Sequence, residues 1–106
     1  MITVSNRIPV HPDHAPAFEA RFQERLGLVD KMPGFIAYRL LRPTKPEQPY
    51  VVLTFWETEE QFRAWTSSPE FREQHKSERT LSPDAFTGPV QLEVHEVAQE
   101  SGRPFA

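Results

Sequence analysis

Between Tyr50 and Trp56 both alternating sets of side chains are apolar, with Val51, Leu53 and Phe55 on one side and Tyr50, Val52 and Trp56 on the other. A strand of that composition is expected only where both faces of its sheet are covered. The segment 35–41 is a second β-branched and aromatic run, and the connection between the two holds Pro43, Pro46 and Pro49. The pair therefore reads as an antiparallel hairpin. Upstream, Ile2, Val4, Ile8 and Val10 share one phase of a two-residue period, with Thr3, Ser5, Arg7 and Pro9 in the other. That is the pattern of a half-buried first strand. His11-Pro12-Asp13 stops it. Asp13 is expected to cap a helix, because Pro16 then falls in the first turn, where its missing N–H costs no bond. Phe18, Phe22, Leu26 and Val29 follow at helical spacing, predicting a helix over about 14–31 that Met32-Pro33-Gly34 ends.

Thr58-Glu59-Glu60-Gln61 is a capping box, in which the Thr hydroxyl and the Gln amide would each take a free backbone N–H at a helix start. Ser67-Ser68-Pro69 interrupts that helix, with Ser68 suited to the cap and Pro69 to the first position of a second piece reaching roughly Ser77. After a polar loop holding Pro83 and Gly88, Val90 to Val97 alternates again as the last strand. The order βαββαβ predicts an α+β, ferredoxin-like fold: a four-stranded antiparallel sheet with two helices on one face. Residues 1–98 form the expected domain and 99–106 a flexible tail. Two helices leave the second face of the sheet bare. A homodimer packing sheet on sheet is the simplest cover, since soluble monomers rarely expose more than a few hundred Å² of apolar patch.

A chain of 106 residues has room for one domain. Its 12 Lys and Arg against 15 Asp and Glu give a net charge of −3, with no basic excess to hold nucleic acid or an anionic membrane. It has no cysteine, hence no disulfide, thiolate metal site or cysteine nucleophile, which suits a reducing cytoplasm. The first residues alternate rather than forming the apolar run of a signal peptide, and nothing approaches the roughly 20 apolar residues of a spanning helix. The chain is expected to be soluble and cytoplasmic. It carries no Gly-rich phosphate loop, no nucleophile elbow and no H-E-x-x-H. Glu57, Glu59 and Glu60 cluster at a helix start, where the dipole favours them without any chemistry.

Three residues fit a bland core poorly. Asn6 sits in the apolar row of the first strand; burying its amide unpaired would cost about 1–3 kcal/mol, so it needs a partner or a wet or ligand-filled cavity. Trp65 lies three positions after Phe62 and faces the sheet, as core or as a ligand wall. His75, four residues after Phe71, shares a helix face with it. His11, His14 and His95 form no zinc-like arrangement, but a single His suffices for the axial position of a heme. Gly27, within the predicted helix, costs about 0.8–1 kcal/mol relative to Ala, pointing to close approach by a neighbour or ligand, or to early fraying of the helix.

Taken together, Ser5-Asn6-Arg7, Arg21-Phe22-x-x-Arg25-x-Gly27, Pro33-Gly34-Phe35, Phe55-Trp56-Glu57, Phe62-x-x-Trp65 and Phe71-x-x-x-His75-Lys76 resemble the antibiotic-biosynthesis-monooxygenase domain of the dimeric α/β-barrel superfamily. Within it the likeness is to the heme-degrading monooxygenases, over about residues 2–97. The resemblance implies that Asn6, Trp65 and His75 are the catalytic residues. His75 would ligate the heme iron through a neutral ring nitrogen. Trp65 would press on the porphyrin, directing oxidation to its meso carbon, and Asn6 would donate a hydrogen bond to oxygen held at the iron or to a distal water. Phe22 and Arg25 would give heme an apolar wall and a partner for a propionate. Heme would be both substrate and cofactor, O₂ the oxidant, and a separate reductase the electron source, because the chain has no flavin, nicotinamide or iron–sulfur motif. The alternatives are a cofactor-independent monooxygenase of small phenolic or quinol substrates, and a non-catalytic dimeric module that binds a small molecule.

Overall fold

The computed structural model describes residues 1–23, 27–78 and 83–102, with the backbone alone described for 75–78. The strands are β1 (Ile2–Ile8), β2 (Phe35–Leu41), β3 (Tyr50–Trp56) and β4 (Gln91–Glu96). They form one antiparallel sheet in the order β2-β3-β1-β4. With α1 (Ala15–Gln23), α2 (Glu59–Thr66) and α3 (Pro69–Glu78) this is the expected ferredoxin-like α+β fold. The register pairs Val4 with Thr54, Asn6 with Val52 and Ile8 with Tyr50. Since residues directly opposite share a face, all six look toward the helices, as do Leu92 and Val94, opposite Asn6 and Val4.

The core is a cluster of Ile2, Val4, Val29, Trp56 and Trp65. Trp56 is fully buried, its indole N–H donates to Thr54 Oγ1 at 3.0 Å, and Phe35 and Phe62 meet it edge-on. Edge-to-face contact sets the positive rim of one ring against the negative face of the other, which favours such pairs beyond their area. On the helix-free face Val51, Leu53 and Phe55 are half-buried, whereas β4 is exposed along its whole length.

The helix expected over 14–31 is shorter. α1 ends at Gln23, residues 24–26 lie outside the described residues, and Leu28–Lys31 is a 3₁₀ turn preceded by Gly27 at φ +72°. A left-handed residue cannot continue a right-handed helix, and Gly adopts it without the Cβ penalty. No described atom lies within 4 Å of where a Cβ on Gly27 would sit, so backbone conformation rather than close approach of a neighbour requires glycine there. Nor is Asp13 the cap. His11 takes that role for a 3₁₀ turn, Pro12–His14, leading into α1, its Nδ1 accepting from Asp13 N–H at 3.1 Å. Val10 falls beyond β1 and makes an isolated bridge with Phe86.

The capping box is half made. Thr58 Oγ1 accepts from Gln61 N–H at 3.1 Å, but Gln61 Oε1 is buried without a hydrogen-bond partner among the described residues. Its side chain lies over Gly34, where a Cβ would collide with that oxygen. The break at 67–68 is as expected. Ser68 Oγ donates to Trp65 C=O at 2.6 Å and accepts from Phe71 N–H at 3.1 Å, so one hydroxyl closes α2 and opens α3.

Candidate functional site

A cavity of about 390 Å³ lies between the helix side of the sheet and the helices. Its floor is Val4, Asn6 and Ile8 of β1 with Val52 and Thr54 of β3, and Val90 and Leu92 border it beside β1. Phe22 of α1, Val29, and Phe62, Trp65 and Thr66 of α2 form its walls, closed by Phe71 and Gln74 of α3. Tyr38 of β2 also reaches it, stacked on Phe22 at 6.4 Å between ring centroids. The lining is mostly apolar and aromatic with a few convergent polar groups, the usual make-up of a small-molecule site.

Three of the five residues singled out from sequence meet here. The half-buried Asn6 faces the cavity and makes no side-chain hydrogen bond with another described residue, so the amide in the apolar row looks into this space rather than into packed core. Trp65 is both things the sequence left open: it is 5% exposed within the core cluster and presents a side to the cavity, its ring edge-on to Phe71 at 5.4 Å. Phe22 is the expected apolar wall. Position 75 lies in α3 one turn beyond Phe71, and its side chain is outside the described residues, as is Arg25 altogether. Residues 79–82 of the polar loop are likewise outside them.

Two lining residues escaped the sequence reading. Gln74 is the buried polar side chain of the described core, 7% exposed, and its Oε1 accepts the Leu28 N–H at 3.1 Å. Its spacing of three from Phe71 was the available signal. Tyr38 shares the helix side of β2, opposite Thr54.

A second, more open cavity of about 860 Å³ lies at the other end of α1, against the β2–β3 connection. Glu19 anchors it. Arg42 donates two hydrogen bonds to its carboxylate, Nε at 2.8 Å and Nη2 at 2.6 Å, and the Tyr50 hydroxyl donates a third. The Arg42 and Tyr50 hydrogen bonds hold the Glu19 carboxyl down at about 2. Burial, then the neighbouring carboxylate, pushes the Tyr50 phenol up to about 12. These groups satisfy one another and clasp α1 to the hairpin. Among the described residues no group of three or more His, Asp or Glu is placed to hold a metal ion, and no helix is long and apolar enough to cross a membrane.

The family model for antibiotic biosynthesis monooxygenases matches residues 1–77. A curated relative from Mycobacterium tuberculosis, a heme oxygenase (mycobilin-producing), is 44% identical over 64 residues, covering 60% of this chain and 61% of that one. The match thus spans less than two thirds of that relative's length. A heme oxygenase (staphylobilin-producing) from Staphylococcus haemolyticus is 34% identical over 88 residues, covering 80% of this chain and 83% of the relative. Among solved structures, the heme-degrader MhuD from Mycobacterium tuberculosis, with two hemes bound in its active site, superposes with a TM-score of 0.79 at 33% identity. That superposition covers 96% of this chain and all of that one. Strand order, cavity and matched sequence agree: the chain belongs to the antibiotic biosynthesis monooxygenase family.

Proposed function

We propose that this cavity binds heme and that the protein is a monooxygenase that opens the porphyrin ring and releases its iron. One observation carries the reading beyond kinship with heme oxygenases. The Asn6 amide, which has no side-chain hydrogen-bond partner among the described residues, and the Trp65 ring border the same largely apolar cavity, whose α3 wall includes Phe71, one turn before position 75. The donor set suits a planar, mostly apolar macrocycle with a polar metal at its centre.

Heme, when bound, supplies the iron at which O₂ is reduced and the carbon that is oxidised, with electrons from an external reductase. The chain's residues bind and orient it. His75 would ligate the iron through a ring nitrogen. Asn6, which faces the cavity, would offer its side-chain N–H as a hydrogen-bond donor to the oxidant. Trp65, fixed from behind by Phe71, would pack against the macrocycle and influence which of its carbons is oxidised. Phe22 packs against the macrocycle, and Arg25 pairs with a propionate. The working unit is a homodimer in the cytoplasm, which would cover the half-buried Val51, Leu53 and Phe55 and exposed β4.

Hemin titration tests the assignment. Wild-type protein is expected to shift the Soret band at a one-to-one equivalence point, and His75→Ala to lose the ligand-dependent shift. An identical spectrum from His75→Ala would remove His75 as the iron ligand, and no shift with wild type would remove heme binding.

A further inference from the structure

We propose that Gln74 is a positioning residue that sets how α3 presents position 75 to the cavity, an inference that rests on the heme reading above. Gln74 comes from α3, and its Oε1 accepts the N–H of Leu28, 46 residues away, at the start of the 3₁₀ turn Leu28–Lys31. The first N–H groups of any helical turn lack a partner within the turn, and here the left-handed Gly27 precedes them without a side-chain cap. Gln74 supplies the missing acceptor. The two segments thereby fixed both matter to the site: the turn carries Val29, 3% exposed in core and cavity wall, and α3 carries Phe71, locked edge-on against Trp65.

Two fixed points define the rotation of a helix about its axis. Successive residues lie about 100° apart, so position 75 falls about 40° to one side of Phe71 and Gln74 about 60° to the other. With Phe71 held by Trp65 and Gln74 held by Leu28, the direction of position 75 follows. Releasing Gln74 removes the hydrogen bond that ties this side of α3 to the Leu28–Lys31 turn, so α3 can roll by a fraction of that sector about Phe71 and the Ser68 cap. Iron ligation is sensitive to such a roll, because a coordinate bond tolerates only tenths of an ångström. Gln74 touches neither iron nor oxidant in this account. It acts through the backbone that bears His75.

The test compares wild type, Gln74→Met, which keeps the volume and removes the acceptor, and Gln74→Glu, which keeps an acceptor oxygen. Amide exchange at Leu28 is read in heme-free protein, and Soret position and affinity are read by hemin titration. Exchange at Leu28 in Gln74→Met is expected to be at least about tenfold faster than in wild type. Its hemin spectrum is expected to shift away from the wild-type ligation signature, with at least about tenfold weaker binding. Gln74→Glu should restore both toward wild type. If wild type binds hemin and Gln74→Met matches it in spectrum and affinity, the positioning role is overturned while the heme reading stands. If wild type itself gives no Soret shift, both fall. Should Gln74→Met fail to fold, Leu28 exchange and the hemin spectrum in wild type and Gln74→Glu decide: an unprotected Leu28 amide in wild type, or protection with an altered spectrum in Gln74→Glu, overturns the proposal.

Discussion

Trp65 is asked to do two jobs, core packing and contact with a bound macrocycle, and truncation separates them. Replacing a buried Trp by Ala typically costs about 3–5 kcal/mol, part lost transfer energy and part the cavity left behind. Trp65 is 5% exposed and packs with Ile2, Val4, Val29 and Trp56, but one side already borders the cavity. Fewer neighbours are lost on that side, so Trp65→Ala is expected near the lower bound, about 3 kcal/mol. For a domain whose total stability is about 5–15 kcal/mol this is a large fraction, equivalent to a Tm lower by roughly 12–24 °C. Trp65→Phe keeps an aromatic edge against Phe71 and should lose about 1 kcal/mol. Urea unfolding followed by far-UV circular dichroism measures both. Trp65→Phe should still bind hemin yet degrade it more slowly or to a different product distribution. A Trp65→Ala protein within about 1 kcal/mol of wild type would show that Trp65 is not a core element, and a Trp65→Phe protein with unaltered rate and products would show that its ring does not shape the reaction.

Gly27→Ala should cost about 1–2 kcal/mol, because φ is +72° but no described atom contests the space, and Gly34→Ala should cost more, because its Cβ would meet Gln61; equal melting temperatures for the two would contradict this. Glu19 is held at about 2 when folded against an ordinary value of 4.5, so its contribution is full above about pH 4.5 and is lost as pH falls toward 2. Tyr50→Phe removes one of the donors, raises that folded value and is expected to shrink the stability difference between pH 7 and pH 3; an unchanged difference in urea melts would show that the hydroxyl does not hold the carboxylate. Sedimentation should find a dimer, and Leu53→Glu, on the helix-free face, should shift it toward monomer; a monomeric wild type would refute the paired-sheet assembly.

Much of the fold was legible because strand period and turn chemistry agree. The apolar run 50–56 marked a strand, and Thr58 and Ser68 marked the two helix starts that their hydroxyls make. The end of α1 was hidden because Val29 continues the helical spacing of Phe18 and Phe22 across the break: a 3₁₀ turn returns it to the core, and only the left-handed glycine betrays the change. Asn6 and Trp65 stood out because each is awkward in an ordinary core. Gln74 did not, since among the charged residues of 70–76 it reads as part of a wet helix face, and its acceptor role depends on an N–H 46 residues away. The Glu19, Arg42 and Tyr50 clasp was invisible for the same reason, joining three elements through side chains far apart in sequence.

The most direct measurement follows the visible spectrum of protein loaded with one equivalent of hemin after a reductant is added in air, with a ferrous chelator present. Ring opening predicts decay of the Soret band together with about one chelated iron per hemin, and neither change in Asn6→Ala on the same timescale. A Soret band that persists under those conditions, with no iron released, would contradict the assignment.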